Sequence, residues 1–551
     1  MYSLNRHSLL RWLLLGGVCT LAIAPFFWFG NPSGHDFEVH VFSWMNVAAQ
    51  WKQGVLYPGW ADLSYWGYGE PTFIFYPPAS WTLGGLLGLL LPWRMVPGAF
   101  CWLALMLAGV AMYEVAKRWW SRSDALFSAV FYAVNAYFLV VIYWRSAFAE
   151  LLAAALVPLL LLVVMRLDEP GWRAAVWLSL ILSGAWLINV PASLMIHYSA
   201  AGLVLVQAVR VKSVRPLIKL AVAVMVGAGL ASFYLVPAIY EQRWVQIAQV
   251  LSPGVRPQDN FLFTLTADLD HNHFNRLVSV VGIAEISVLV LAIFLSRRDQ
   301  VRRSLWKMLS IWGAAATFFL FSASWVLWEY LPKFRYVQLP FRWLLCVNAA
   351  LALLLTMSTT GARWRPWIVR GMVVVALVAI VFLAGQHTQP PWWDTAADIE
   401  EMRQFVLDGS GYEGVDEYLP TAANPDAVDR AMPRFSDERG TEVRATVMDW
   451  RPTVKHFRLV TSEPIDLTVR LFNYPAWRVV VNGRPLEVKT SEAGLVVLRL
   501  ETGENNVQIL FTRTLDRTLG IVISCFSAAM LFAAFIWIGA KRQPRLETSA
   551  T

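Results

Sequence analysis

The densest chemistry in the chain lies in Gly34-His35-Asp36-Phe37-Glu38-Val39-His40, just past a first apolar run from Leu9 to Phe29. A carboxylate placed there can take a proton from an incoming hydroxyl or hold a cation, and an imidazole can orient it. Asp36 and His40 are four residues apart, so on a helix they share a face and can hydrogen-bond. Glu38 points away from them on a helix and joins them only where the backbone is extended, as a backup carboxylate or metal ligand. The competing role for Asp36 is a helix N-cap, which favours aspartate on its own account. Phe37, Val41, Trp44, Ala48 and Trp51 recur at alternating spacings of four and three. That is the apolar stripe of a helix lying on a bilayer surface.

Further candidates follow along the chain. Glu70 sits in Gly67-Tyr68-Gly69-Glu70-Pro71 and Tyr76 in Phe75-Tyr76-Pro77-Pro78, both within an aromatic-rich turn. Arg145, Arg243, Lys333, Arg335 and Arg342 supply positive charge, which can stabilise a developing anion. Arg342 stands at the mouth of an apolar run, where an interfacial arginine also snorkels. His271-Asn272-His273 with Asp268 and Asp270 has metal-ligand residue types, but in one loop without a third partner it reads as polar surface. Glu285 is embedded in an apolar run, where a carboxylate is either functional or protonated and hydrogen-bonded within the bundle. Cys19, Cys101, Cys346 and Cys525 all fall in apolar runs and read as small packing residues.

These residues must be positioned by membrane helices. Of 551 residues, 57% are hydrophobic and 15% charged, against roughly 25% charged in soluble proteins. That excludes a soluble enzyme, a disordered chain and a small disulfide scaffold. The first run lacks the small residues that end a cleavable leader and reads as a signal anchor. Further spans are expected near 97–116, 123–143, 147–165, 174–190, 192–209, 216–238, 277–295, 308–328, 340–358, 367–385 and 518–539, about twelve helices with the first. The apolar stretch 79–91 is too short to cross and reads as re-entrant or interfacial. With that parity every short basic loop falls on the cytoplasmic side, including Lys117/Arg118/Arg122, Arg363/Arg365/Arg370 and Lys541/Arg542/Arg545. Both termini are then cytoplasmic, and the net charge of +8 reflects topology rather than nucleic-acid binding.

The opposite, external side collects the candidate residues. Expected domains are a transmembrane part over 1–385 with a first external loop at 30–96, an extracytoplasmic β-rich part over 386–517, and a final helix with a cytoplasmic tail over 518–551. Strands are expected at 443–449, 454–461, 466–473, 477–481, 484–490, 494–500 and 506–514, with Asn482-Gly483 as a hairpin turn. Seven short strands point to a β-sandwich packed over the first loop. The preceding stretch Gly411 to Pro420, rich in acids and aromatics, suits sugar binding or a solvated connector.

Several of these pieces carry a family resemblance. They are Gly34-His35-Asp36…His40, Tyr57-Pro58…Trp60, Gly67-Tyr68-Gly69-Glu70-Pro71, Gln338-Leu339-Pro340-Phe341-Arg342-Trp343, Glu413-Gly414…Glu417-Tyr418 and Tyr474-Pro475-Ala476-Trp477. In this order they resemble the bacterial YfhO-like membrane proteins and the relatives labelled 6-pyruvoyl-tetrahydropterin synthase-related, within the GT-C superfamily of membrane glycosyltransferases. The resemblance implies transfer of a sugar from a polyprenyl-phosphate donor to a glycan, lipid or protein acceptor on the outer face of a bacterial inner membrane. It implies that the pair Asp36-x-Glu38 carries the catalytic or metal-binding role, and leaves open whether a divalent metal, Mg or Mn, takes part. Glu70, Tyr76, Arg335 and Arg342 are the candidate substrate-binding residues. The alternative is a non-catalytic transporter or envelope assembly factor on the same scaffold. A transporter should show internal repeats, and the sequence has no obvious one.

Overall fold

The computed structural model describes residues 6–360 and 366–540. Arg363, Arg365, Lys541, Arg542 and Arg545, expected in cytoplasmic segments, lie outside the described residues.

Among the described residues, seven helices are long and apolar enough to cross a membrane: Trp93–Ala116, Arg122–Arg145, Val190–Val211, Leu269–Ser296, Pro340–Thr359, Pro366–Thr388 and Leu515–Ile538. Two pairs qualify only across a bend, Arg215–Leu230 with Ser232–Trp244 at 78° and Arg303–Phe318 with Ser322–Tyr330 at 95°. Among the described residues, seven to nine of the expected twelve spans therefore meet this test of length and composition. The other three fall on the shorter apolar helices Leu9–Ala22, Phe148–Val164 and Arg173–Ile188. At 1.5 Å per residue these reach roughly 20–26 Å, less than the ~30 Å of hydrocarbon. The stretch expected not to cross forms the thirteen-residue helix Pro78–Leu90.

Helix interruptions shape the region under the first loop. Helix Arg122–Ala133 stops, and the Asn135 side chain accepts a hydrogen bond from Phe138 N (3.0 Å) to start the short helix Ala136–Val140. Its continuation Val141–Arg145 widens into a π-turn, an irregularity common at functional sites, and Ser146 follows in the left-handed conformation. Glu285 supports this break. Its carboxylate accepts hydrogen bonds from Tyr137 N (2.9 Å) and Asn348 Nδ2 (2.8 Å), so it is satisfied inside the bundle.

The helix expected after Asp36 runs over Phe37–Lys52, but its stripe does not face lipid. Phe37, Val41, Trp44 and Ala48 are buried in the protein. The reason is Gly84, on the helix Pro78–Leu90: a Cβ there would lie 2.1 Å from the Trp44 indole. Glycine opens the groove that receives the tryptophan.

The C-terminal part is a β-sandwich with antiparallel pairing throughout. One sheet orders Phe435–Ser436, Ile465–Phe472, Leu495–Leu500 and Lys489–Thr490. The other orders Thr446–Arg451, Val454–Thr461, Gly503–Phe511, Trp477–Val481 and Arg484–Leu486. The expected strand 484–490 is divided, because its two halves join different sheets. Alternate residues such as Phe457, Leu467, Val469, Leu498, Val507 and Ile509 form the inner layer, as period-two burial requires. Trp60, Tyr65 and Tyr68 of the first loop join this core, and Phe472 N bonds the Tyr68 carbonyl at 3.1 Å. A two-stranded antiparallel pairing of Asn31–Pro32 with Trp393–Asp394 ties the entry of the first loop to the segment leading into the sandwich.

Candidate active site

A cavity of about 920 Å³ lies between the first loop and the helices. Asp36 stands in its lining at the N-terminus of the helix Phe37–Lys52. It occupies the N-cap position, yet its side chain makes no cap hydrogen bond. Instead Oδ2 lies 3.6 Å from Arg145 Nη2, and the carboxylate remains 42% exposed. Backbone contacts set this approach. Gly34 N donates to Ser146 Oγ (3.0 Å) and Asp36 N to the Arg145 carbonyl (2.9 Å). A Cβ on Gly34 would sit 2.6 Å from the backbone of Trp144 and Arg145, so only glycine lets the two segments meet.

Beneath Asp36 lies a buried charge cluster. Glu150 Oε2 accepts from Arg145 Nη1 at 2.5 Å and from Arg342 Nε at 3.1 Å, and Oε1 accepts from the Tyr137 hydroxyl. Arg342 also donates through Nη1 to the Val337 carbonyl (2.8 Å) and Gln338 Oε1 (2.9 Å). Two guanidiniums share one buried carboxylate, so the buried cluster is net positive, and the half-exposed Asp36 is its counter-ion. Buried charges persist only when paired and hydrogen-bonded, and these are.

His40 lines the cavity one turn after Asp36, but its ring does not bond the carboxylate as expected. Its Nε2 lies 3.4 Å from the Tyr76 hydroxyl, because the ring is packed among Trp44, Tyr76 and Phe148. Burial pushes the imidazole down to about 4, so it is neutral at pH 7. The Tyr76 phenol is shifted upward by burial and keeps its proton.

Asp36, His40, Tyr76 and Arg342 thus line one cavity, and Glu38, Glu70 and Arg335 do not. Glu38 is exposed on another side of the helix, where its charge acts on Asp394. Glu70 is buried, and both its oxygens accept from Val415 N at 3.2 Å; burial pushes it up to about 8. Arg335 pairs with Glu329 at 3.6 Å. Asp268 caps the helix Leu269–Ser296 through Asp270 N and His271 N, and His271 reaches the cavity with Nε2 at 3.1 Å from the Asp259 carbonyl. No group of three His, Cys, Asp or Glu side chains fit to hold a metal occurs among the described residues. Asp36 is held by Arg145 and Glu38 is turned away, so the two carboxylates do not converge.

Two cavity carboxylates went unassigned in the sequence. Glu150 is a carboxylate within an apolar run, the same signal that singled out Glu285. Glu417 comes from the acidic connector, whose aromatics dock on the first loop: Tyr418 stacks on Phe75 (5.6 Å) and Tyr412 on Phe42 (4.6 Å). Burial, reinforced by Asp416 and Asp36, pushes Glu417 up to about 6. One side of the wall is apolar, with Leu194, Val224, Leu235 and Ile239 from the helix Val190–Val211 and the first bent pair, and Lys333 adds a further cation to the lining.

Fold and site together define a multi-helix membrane protein with a charged cavity beside the first loop and a β-sandwich docked on that loop. The model of the 6-pyruvoyl-tetrahydropterin synthase related domain, a membrane protein family, matches residues 73–388, and the chain belongs to that family. The match includes Arg145, Glu150 and Arg342 and begins after Asp36. No curated protein matches the chain. Among solved structures it is similar to the Archaeoglobus fulgidus oligosaccharyltransferase, with 13% identity over 74% of this chain and a TM-score of 0.43; the chain spans 56% of that protein's length. It is similar to ArnT from Cupriavidus metallidurans, determined bound to undecaprenyl phosphate, with 14% identity over 72% of this chain and 69% of that one and a TM-score of 0.40. It is also similar to the arabinofuranosyltransferase AftD from Mycobacteria, with 13% identity over 72% of this chain and 27% of that one and a TM-score of 0.39.

Proposed function

We propose that this protein is a GT-C-type membrane glycosyltransferase that moves a sugar from a polyprenyl-phosphate donor to a cell-envelope acceptor on the outer face of the inner membrane. The observation that carries this reading is the two-sided cavity: a paired-arginine floor with a half-exposed carboxylate at one side, and an apolar wall from membrane helices at the other. That division suits a ligand with a phosphate head and a hydrocarbon tail.

In this reading the phosphate draws on Arg145 and Arg342, whose positions Glu150 holds. The arginine contact at 3.6 Å is the looser of Arg145's two carboxylate pairings, so an arriving phosphate displaces Asp36 rather than Glu150. Freed from its partner, Asp36 accepts the proton as the acceptor oxygen bonds to the anomeric carbon. The anomeric carbon–oxygen bond to phosphate breaks, and the negative charge departs with the lipid phosphate onto the arginines, where preorganised charge lowers the barrier most.

The test is transfer from a panel of polyprenyl-phosphate sugars by purified wild type and Asp36→Asn. Asparagine keeps the size and capping ability of aspartate but not its proton affinity, so the variant should fold normally and lose about 10²-fold or more in turnover. Equal activity in both would remove Asp36 from the chemistry. Inactivity of wild type on the whole panel would turn the reading to a non-catalytic transporter or assembly factor.

A further inference from the structure

A second pocket, of about 240 Å³, lies where the first loop, the helix Ala396–Leu407 and the β-sandwich meet. The first loop contributes Asn46, Gln50 and Asp62; the sandwich contributes Arg434, Trp450, Lys455 and Arg470. Lys455 is 3% exposed; among the described residues its ammonium donates to the Arg451 carbonyl alone, at 2.8 Å, and lies over the Trp450 ring at 5.1 Å. Arg470 donates to the Met432 carbonyl (3.0 Å), and Arg434 lies over the Trp450 ring at 4.7 Å. Among the described residues none of these three cations has a carboxylate within salt-bridge distance. Gln50 is 1% exposed, and its Oε1 has no hydrogen-bond partner among the described residues. A buried carbonyl oxygen without a donor is costly and marks a place where a ligand hydroxyl fits.

We infer that this pocket binds an acidic sugar residue, its anionic group drawn to Arg434, Lys455 and Arg470 and its hydroxyls to Asn46, Gln50 and Asp62. A free inorganic anion uses the cations but leaves the amide side unsatisfied; a neutral hexose does the reverse. Burial pushes Lys455 down to about 8 and, with the charge of Arg470, holds Arg434 below its ordinary value. An incoming anion relieves both. Gln50 stands ten residues beyond His40, roughly 15 Å along the same helix, so this ligand is separate from the contents of the large cavity. Its role as a grip on the acceptor chain rests on the glycosyltransferase reading; the binding itself does not.

The experiment is calorimetric titration of full-length protein in detergent with glucuronate, glucose 6-phosphate, glucose and inorganic phosphate. The anionic sugars should bind at least about tenfold more tightly than glucose or phosphate, since each lacks one set of partners. Whichever of glucuronate and glucose 6-phosphate binds better identifies the anionic group as carboxylate or phosphate. Lys455→Met should weaken the anionic sugars about tenfold or more, and Arg434→Gln, at an exposed side chain that does not support the core, should do so in an intact protein. Phosphate binding as well as the sugars, glucose binding as well as glucuronate, no saturable binding by any, or binding indifferent to Arg434→Gln would each overturn the assignment. Because turnover is not read, failure here leaves the Asp36→Asn test untouched, and an inactive wild type leaves this binding intact.

Discussion

Glu417 lines the large cavity while Glu70 is turned away from it, and burial raises the proton affinity of both. The consequences differ. Glu417 changes charge near pH 6, and once ionised it sets a negative charge in the wall that a phosphate-bearing donor must approach. Donor KM should therefore rise as pH rises through about 6, and Glu417→Gln should hold KM low and flat across the same range. A wild-type KM that is level across that range, or an unchanged slope in the variant, would remove Glu417 from donor binding. For Glu70 the readout is stability. Its folded value of about 8 lies above the ordinary 4.5, so between those values the unfolded chain gives up a proton that the folded protein keeps. Stability is then full below about 4.5, falls by up to about 1.4 kcal/mol per pH unit as pH rises, and levels off above 8. Glu70→Gln removes that fall, so its melting temperature should match wild type near pH 4.5 and exceed it at pH 8. A constant difference between the two proteins at all pH values would show that Glu70 is ionised in the fold.

At the scale of elements, the helix Phe37–Lys52 depends on its seat against Pro78–Leu90. Gly84→Ala drives a methyl group into the Trp44 indole, and overpacking of this kind costs about 1–3 kcal/mol. Thermal melting in detergent should drop accordingly, and Trp44→Leu added to Gly84→Ala should recover part of the loss. Strictly additive losses would mean the two residues do not share the space. The same helix marks where sequence legibility ends. Its existence followed from the four-and-three spacing of Phe37 to Trp51, because periodicity is local. Its partner did not, because an apolar stripe looks alike to lipid and to another helix, and only the glycines of a distant segment decide between them. The strands were legible for the same local reason: Leu467, Val469 and Leu471 alternate, and alternate residues are buried. The division of 484–490 between two sheets was not, since a change of sheet leaves no mark on alternation. In the site, Asp36 and Arg342 stood out by type and place, whereas Glu150 was masked by the leucines and alanines around it. Its importance comes from sharing its carboxylate between Arg145, five residues before it, and Arg342, which is distant in sequence.

Taken as a whole, the molecule has two polar ends, and contacts between remote segments tie each together. At one end, Trp60 enters the sandwich core, and Glu241 joins the Tyr474 hydroxyl (2.5 Å) to Arg517 Nε (2.6 Å), so first loop, sandwich and final helix are tied together. At the other, Arg302 donates to the Trp119 carbonyl (2.9 Å), Arg210 to Asp168 (3.0 Å) and Ser304 (2.8 Å), and Lys219 to the Leu167 carbonyl (2.7 Å). These contacts gather loops that also hold Lys117, Arg118, Arg166 and Arg303. Basic short loops stay on the cytoplasmic side, so the clustered end should face inward and the sandwich outward. The native thiols allow a direct test: Cys19, Cys101 and Cys346 are buried, and Cys525 is exposed on the final membrane helix, among apolar neighbours that a water-soluble reagent does not reach. A membrane-impermeant maleimide applied to intact spheroplasts should label Glu487→Cys, in the sandwich, at once. It should label Ser123→Cys, beside the basic residues, only after the membrane is opened. The reverse pattern would put the cavity's mouth in the cytoplasm, and any sugar donor would then have to be presented on the inner leaflet.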